Sequence, residues 1–161
     1  MCRLIALLAV WCIATIAMAD DKNEKQVPQL IDEEQTVLDL TNKAREKEKL
    51  PPLKLNTVLV KVARAHSENM ARQEKMAHEL DGKGPSQRIK DAGYAASWGG
   101  ENVGETNGDT AEAIFKMWMD SPPHRANILK DKYTEIGVGV ARNAKGEMYY
   151  TQVFAAPKSR R

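Results

Sequence analysis

Cysteine is almost absent from this chain of 161 residues, which contains only Cys2 and Cys12. Both lie in the first nineteen positions, so the remainder cannot form the disulfide framework that stabilises many small exported domains. Its stability must come from an ordinary hydrophobic core. The remainder is about 140 residues long, and a domain of that size covers roughly two-thirds of the surface that its unfolded chain exposes. We therefore expect one domain.

An excess of charge of one sign is also missing. The chain has 24 Lys and Arg against 22 Asp and Glu, which gives a formal net charge of +2. Binding to a phosphate backbone requires a clustered basic face, and here the basic residues are interspersed with acidic ones. We therefore expect no nucleic acid among the partners. The basic tail of residues 157–161 is interpreted as a solvated chain end.

Long hydrophobic runs are lacking except at the start. Arg3 precedes an uncharged apolar run over residues 4–17, and Ala17-Met18-Ala19 fits the small-x-small rule for signal peptidase. This pattern predicts a secretory signal peptide over residues 1–19. The run is shorter than the roughly 20 apolar residues of a membrane span, which disfavours an uncleaved anchor, and no later run is long enough. The expected product is secreted, extracellular or periplasmic, with no stable membrane span after cleavage.

The rest of the chain is predicted to be a flexible lead-in over residues 20–30 and a domain over residues 31–156. Apolar residues at helical spacing, N-cap residues such as Asn56 and the helix-ending pairs Pro51-Pro52 and Pro122-Pro123 mark the helices. The predicted helices cover residues 31–49, 56–75, 86–92 and a segment that opens at residue 109.

The remaining segments indicate a bend and a hairpin. Residues 98–104 contain three glycines and are interpreted as a glycine-rich bend. Residues 136–141 and 148–154 are rich in β-branched, glycine or aromatic residues, and a turn sequence joins them, so a β-hairpin is predicted. Helices before the hairpin and strands at the end predict an α+β fold or a three-layer sandwich.

Histidine is scarce, and two of the three histidines have unusual surroundings. His78 lies just past a predicted helix, and His124 follows a double proline, so we expect both on loops, where functional side chains concentrate. Neutral imidazole is a common ligand for zinc. His66 lies on the apolar face of the second helix and is interpreted as a partly buried structural residue. Glu101, within the glycine-rich segment, is either a ligand-binding carboxylate or an acceptor that holds the bend.

The motifs of the common enzyme classes are not found. The sequence contains no His-Glu-x-x-His, no Gly-x-Ser-x-Gly, no phosphate-binding loop and no Rossmann fingerprint. Ser121 stands three residues before His124, but the intervening prolines make a local serine–histidine catalytic pair doubtful. Sequence spacing alone does not bring His78, Glu101 and His124 together.

An ordered series of short motifs nevertheless resembles the CAP superfamily, which includes cysteine-rich secretory proteins, antigen five and plant pathogenesis-related proteins. The resemblance covers about Glu33 to Ala155, nearly the whole mature chain, and is to the cysteine-free version typical of bacteria. The motifs are Asn42-x-x-Arg45, Leu50-Pro51-Pro52-Leu53, Ala65-His66-Ser67-x-x-Met70-Ala71, Gly99-Gly100-Glu101-Asn102-Val103, Trp118-x-x-Ser121-x-x-His124-Arg125-x-Asn127-Ile128-Leu129, Ile136-Gly137-Val138-Gly139-Val140 and Tyr149-Tyr150-Thr151-Gln152-Val153-Phe154.

This resemblance implies an α-β-α sandwich with a central antiparallel sheet and a cleft with two histidines and two acidic residues. His78 and His124 match the histidines and Glu101 matches one acid. Ser121 stands where the second acid is expected. Losing a carboxylate weakens any divalent-cation site. Asp120 and Glu135 are the candidates to replace it.

Three functions follow as alternatives. The first is a non-enzymatic extracellular binding module, whose cleft of His78, Glu101, Ser121 and His124 binds a protein, a lipid-like ligand or an envelope component. Zn²⁺ or another divalent cation on His78 and His124 is its candidate cofactor. The second is a zinc-dependent, peptidase-like hydrolase with Glu101 as general base. The third is a structural or matrix-associated protein. For the cleft itself, the alternative to metal or ligand contact is that His78, Glu101 and His124 form only a buried hydrogen-bond network.

Overall fold

The computed structural model describes residues 29–159. The predicted signal peptide and nearly all of the predicted lead-in lie outside the described residues, as do both cysteines. Five helices are present in this part of the chain: α1 (Asp32–Lys47), α2 (Thr57–Gln73), α3 (Pro85–Asp91), α4 (Ala111–Asp120) and α5 (Pro122–Ile128). The strands are β1 (Lys54–Leu55), β2 (Ala96–Thr106), β3 (Glu135–Arg142) and β4 (Met148–Pro157). None of these helices is long and apolar enough to cross a membrane.

The strands form one sheet in the order β1-β3-β4-β2. β3 and β4 are the antiparallel hairpin that the sequence predicts. β2 pairs antiparallel with the other side of β4, and the short β1 lies parallel to β3. β2 is therefore an edge strand, and its outer side faces away from the rest of the sheet.

Helices cover both faces of this sheet. α2 and α3 pack on the face that presents Val153 and Ala155 of β4, whereas α1, α4 and α5 pack on the opposite face with Tyr150 and Phe154. Even- and odd-numbered residues of β4 thus pack in two separate cores, because successive side chains of a strand point to opposite faces of the sheet. The predicted three-layer α-β-α sandwich is confirmed.

Helix α2 lies in direct backbone contact with β3. Asn56 caps the helix, as predicted, because its side-chain oxygen accepts hydrogen bonds from the N–H groups of Val58 and Leu59. A Cβ atom at Gly137 would stand 2.1 Å from the carbonyl carbon of Leu59, and one at Gly139 would stand 2.3 Å from that of Ala63. Two glycines in β3 therefore fix how closely the α2 layer approaches the sheet.

Arg45 connects helix α1 to the end of α5 and to the segment after it. This side chain is fully buried, and its guanidinium donates hydrogen bonds to the backbone carbonyls of Pro51, Ile128, Lys130 and Tyr133. Burial lowers the pKa of Arg45. The arrangement holds the end of α5, and hence the helix that carries His124, against α1.

Two local predictions are wrong. The glycine-rich stretch at residues 98–104 is not a bend but the middle of β2, because Gly99, Gly100 and Gly104 take part in regular pairing with β4. Pro122-Pro123 does not only end α4. It also begins α5, where proline suits the first turn because the N–H that it lacks has no helical partner there. His124 accordingly lies in a helix rather than in a loop.

Candidate functional site

Glu101 of β2 lies at the centre of a cluster of charged and polar side chains. Its side chain is only 1% exposed. One carboxylate oxygen accepts a hydrogen bond from Arg88 Nη2 at 2.6 Å, and the other accepts one from His78 Nδ1 at 2.9 Å. Nε2 of His66 lies 3.8 Å from the same carboxylate. Three basic side chains from α2, α3 and the loop between them thus surround one buried acid.

Arg88 also holds the loop that carries His78. Its Nη1 atom donates hydrogen bonds to the carbonyl oxygens of His78 and Lys83, at 3.0 and 2.6 Å. A guanidinium can do this because it presents several donors in a rigid plane. Arg88 therefore fixes both the side chain of Glu101 and the backbone of His78.

His66 is buried, as predicted, and its Nε2–H donates to the carbonyl oxygen of Ala77 at 2.9 Å. Its Nδ1 atom is buried without a hydrogen-bond partner in the part of the chain that the structure describes. Burial lowers the pKa of His66, and the nearby Glu101 carboxylate only partly offsets this effect. Burial thus favours the neutral form of the His66 imidazole beside the acid.

His124 and Ser121 lie on the other side of the β2 edge. His124 is in the first turn of α5, and its Nδ1 atom is 2.8 Å from the hydroxyl of Ser121. Asn102 of β2 donates a hydrogen bond to the carbonyl oxygen of His124 and so connects the helix to the strand. Ser121, at the position where the resemblance implies an acid, therefore orients the imidazole by a hydrogen bond.

Neither candidate to replace the missing acid is hydrogen-bonded to His78 or His124. Asp120 is exposed and pairs with Lys116 one helical turn away. Glu135 accepts hydrogen bonds from Asn56 and from the hydroxyl of Tyr94. Both carboxylates are directed to other partners, so the described cleft has Glu101 as its buried acid and Ser121 at the second position.

The two cleft histidines have opposite pKa shifts. The hydrogen bond to Glu101 raises the pKa of His78, whose side chain is 52% exposed. Burial lowers the pKa of His124, and the neighbouring His78 imidazole lowers it further. Positive charge on one ring therefore disfavours positive charge on the other. Both use Nδ1 for the hydrogen bonds described above, so Nε2 is the atom that each can offer to a ligand.

A groove of about 500 Å³ begins at His124 and Ser121 and follows β2 toward its end. Its walls are mainly apolar and include two exposed methionines, with Met76 48% and Met117 55% exposed. Glu105 and Asp109 line its polar side. Such a volume lies within the range of small-molecule sites. The apolar lining residues are Met76, Val103, Ile114, Met117 and Trp118.

Side-chain donors from the α4–α5 layer occupy part of the outer edge of β2. They bind three alternate carbonyls of that strand, those of Gly99, Glu101 and Val103. The donors are the Tyr133 hydroxyl, the Asn127 amide and the Trp118 indole, respectively. An unpaired strand edge would otherwise be a template for pairing with another chain. Val103 and Trp118, which form the last of these contacts, also line the groove.

The described residues do not form a complete metal centre. Within residues 29–159, no group of three or more His, Cys, Asp or Glu side chains is arranged to hold a metal ion. Glu101 is already bound to Arg88 and His78, which leaves two imidazoles as protein ligands. Zinc sites in proteins usually have three or four protein ligands.

Comparison with known proteins agrees with this architecture. The model of the CAP family, described as the cysteine-rich secretory protein family, matches residues 38–154. The chain belongs to the CAP family. The resemblance that the sequence motifs indicated is therefore confirmed for most of the domain.

The relatives of this CAP protein include surface and extracellular proteins. YkwD of Bacillus subtilis is 36% identical over 122 residues, which are 75% of this chain and 46% of YkwD. The structure of an extracellular SCP-domain protein from Bacillus anthracis is 28% identical with a TM-score of 0.70, and the match covers 76% of this chain and 40% of that one. The chain thus spans less than half the length of these two relatives.

A more distant structure shows the fold alone. An outer surface protein from Borrelia burgdorferi is 19% identical, with a TM-score of 0.75. The match covers 81% of this chain and 97% of that protein. The likeness in fold therefore extends over nearly the whole of that protein.

Sequence reasoning missed two members of the Glu101 cluster. It interprets His66 only as a structural core residue. A buried imidazole requires a hydrogen-bond partner, and that requirement is the signal that could have led to the cluster. Arg88 has no local signal in the sequence. Its role depends on the packing of α3 against β2, which only the tertiary fold shows.

Proposed function

We propose that this CAP-domain protein is a non-enzymatic extracellular binding module. Its ligand site is the cleft of His78, Glu101, Ser121 and His124 together with the apolar groove, which Ser121 and His124 line. The observation that carries the proposal is the state of Glu101. Its carboxylate is buried and holds Arg88 and His78 in place, so it serves as a fixed support for the wall of a binding site.

The same observation argues against the hydrolase alternative. A general base must reach the water that it activates. Both oxygens of Glu101 are already hydrogen-bonded, to Arg88 and to His78, and the side chain is 1% exposed. Proton abstraction by this carboxylate would require a hydrogen bond to break and the cluster to open. A binding role requires neither.

A divalent cation belongs to this proposal as an optional ligand. When bound to the Nε2 atoms of His78 and His124, a Zn²⁺ ion would supply positive charge at the mouth of the groove. Glu101 and Ser121 hydrogen-bond the opposite nitrogens of these rings, as outer groups commonly do for metal-binding histidines. With two protein ligands, the expected affinity is low compared with that of closed zinc sites.

The groove supports a ligand with an apolar body and an anionic head. The head would lie beside Ser121 and His124, which line the groove, and the body would follow the methionine-lined wall. Dodecanoate is a suitable probe because it has both parts. We expect wild-type protein to bind dodecanoate in calorimetry, and Met117→Lys to weaken binding about tenfold, since a charge replaces an apolar wall.

Ile31→Lys is the matched control, because Ile31 is exposed to a similar extent (48%) and does not line the groove. Zinc titration of the His78→Ala/His124→Ala double variant forms the second arm, and a variant that keeps full zinc affinity would show the metal assignment to be wrong. The p-nitrophenyl ester of dodecanoate distinguishes the hydrolase. Ester cleavage by wild type that is lost in Glu101→Gln would overturn the binding-module proposal.

A further inference from the structure

A second concave surface lies at the beginning of β2, beside the exposed indole of Trp98. The surface encloses about 490 Å³ between α3, the start of β2 and the end of β4. We name it the Trp98 pocket. The lining residues that matter below are Ser86, Lys90, Tyr94, Ser97, Trp98 and Lys158.

Trp98 is held at the surface by the local structure of β2. The pairing with β4 shifts register between Ala96 and Trp98, and such irregularities redirect side chains at sheet edges. The indole is 47% exposed, and Nζ of Lys130 lies 5.0 Å from the centre of its ring. A large aromatic side chain is thus presented to solvent beside a lysine ammonium group.

The backbone around the pocket is firmly connected. The N–H of Lys158 donates to the carbonyl oxygen of Ala95 at 2.8 Å, and the Ser97 hydroxyl donates to the carbonyl of Ala156. Tyr94 donates its hydroxyl to Glu135, which fixes the orientation of its ring. The pocket is therefore preformed, and little ordering is required when a ligand binds.

The charge of the pocket is positive. Lys90 and Lys158 line it, Lys130 stands over Trp98, and the lining includes no carboxylate. Within residues 29–159 none of these three lysines forms an ion pair, whereas Lys83 pairs with Asp91 and Lys132 with Asp131.

From these features we infer that the Trp98 pocket binds an acidic polysaccharide. The flat apolar face of a sugar ring packs on the indole, and the lysines pair with its carboxylates. Ser86 offers a hydroxyl to the sugar hydroxyls, and the Ser97 oxygen, whose hydrogen is donated to the backbone, can accept from them. A membrane is a poorer match, because the other large exposed apolar side chains, Ile31, Met76 and Met117, do not line the pocket. This site is independent of the histidine cleft and of its proposed ligand.

Polygalacturonate tests the inference. The full chain is titrated with this polymer, with neutral dextran of similar length and with vesicles of phosphatidylcholine and phosphatidylglycerol. We expect polygalacturonate to bind, dextran to bind far more weakly, and vesicles not to bind. Affinity should fall as NaCl is raised, because the lysine contacts are exposed and screened.

Three variants locate the site. Trp98→Ala should weaken polygalacturonate binding about tenfold, whereas Trp98→Phe should retain most of it because an aromatic face remains. Lys90→Glu/Lys158→Glu should abolish binding. Lys43→Glu, an exposed change on α1, is the control for a single charge reversal away from the pocket and should leave affinity within about twofold, since isolated surface charges contribute little.

The inference is overturned by any of four results: no binding of polygalacturonate at low salt, equal binding of vesicles, equal weakening by Lys43→Glu, or full binding by Trp98→Ala. Thermal unfolding of each variant shows whether it is folded. Because Trp98 and the lysines are exposed, we expect all of them to fold.

Discussion

At the scale of single residues, Glu101 is the most constrained group in the cleft. A buried carboxylate is costly unless charged and polar partners satisfy it. Arg88 and His78 provide those contacts, and the pair of Glu101 with Arg88 is the more buried of the two, because the side chain of Arg88 is 12% exposed and that of His78 52%. The stability of the cleft should therefore depend more on Arg88 than on either cleft histidine.

Arg88→Met tests this dependence. Removing one partner of a buried ion pair leaves the other charge uncompensated, so we expect the free energy of unfolding to fall by about 3–5 kcal/mol at neutral pH. Urea unfolding followed by circular dichroism measures the change.

Lys83→Met is the matched control, because Lys83 pairs with Asp91 where both side chains are well exposed. Exposed pairs contribute about 0–1 kcal/mol, so this variant should be close to wild type. The double variant Arg88→Met/Glu101→Gln should recover part of the loss. Equal effects of the two single variants would contradict the assigned role of Arg88.

At the scale of elements, regular local patterns are predictable from the sequence and long-range contacts are not. The helix after Asn56 and the β3–β4 hairpin are predicted correctly, because capping, periodicity and turn residues are local signals. The sequence predicts a bend where β2 lies, since glycines are poor strand formers. Pairing with β4 outweighs that preference. In addition, side chains from α4 and from the segment after it fill the space that a Cβ atom at Gly100 or Gly104 would need.

The glycines of β3 show the same kind of tertiary constraint. At Gly139 an added Cβ would lie within 2.3 Å of the backbone of α2, which cannot move without shifting the whole helix. Gly139→Ala should therefore lower the free energy of unfolding by about 1–3 kcal/mol or more. Chemical unfolding measures the loss.

Gly99→Ala is the control in the same sheet. A Cβ there would meet its nearest atom, Cδ1 of Ile89, at an ordinary 3.5 Å. We expect a change within about 0.5 kcal/mol. If Gly139→Ala were as stable as Gly99→Ala, the close contact of α2 with β3 would be wrong.

At the scale of the whole molecule, the three histidines determine how stability changes near neutral pH, because histidine is the side chain that titrates there. The pKa of His78 is raised by its hydrogen bond to Glu101. The contribution of His78 to the free energy of unfolding is complete below about pH 6.5, the pKa of histidine in the unfolded chain. It is lost as the pH rises through the raised pKa of the folded state. The pKa values of His66 and His124 are lowered, mainly by burial. Their contributions are complete above about 6.5 and decline as the pH falls below it.

These opposite shifts predict a maximum of histidine-linked stability near pH 6.5, at about the unfolded pKa of histidine. We expect His78→Ala to remove the decline on the alkaline side, so its loss of stability relative to wild type should be larger at about pH 5 than at about pH 8. His66→Gln keeps a donor for the Ala77 carbonyl but cannot titrate, so it should reduce the decline on the acidic side. Urea unfolding of wild type and both variants across this range measures the three profiles. An unchanged alkaline decline in His78→Ala would show that the His78–Glu101 hydrogen bond does not control the pH response, and the cleft would then lack the charge coupling described for it.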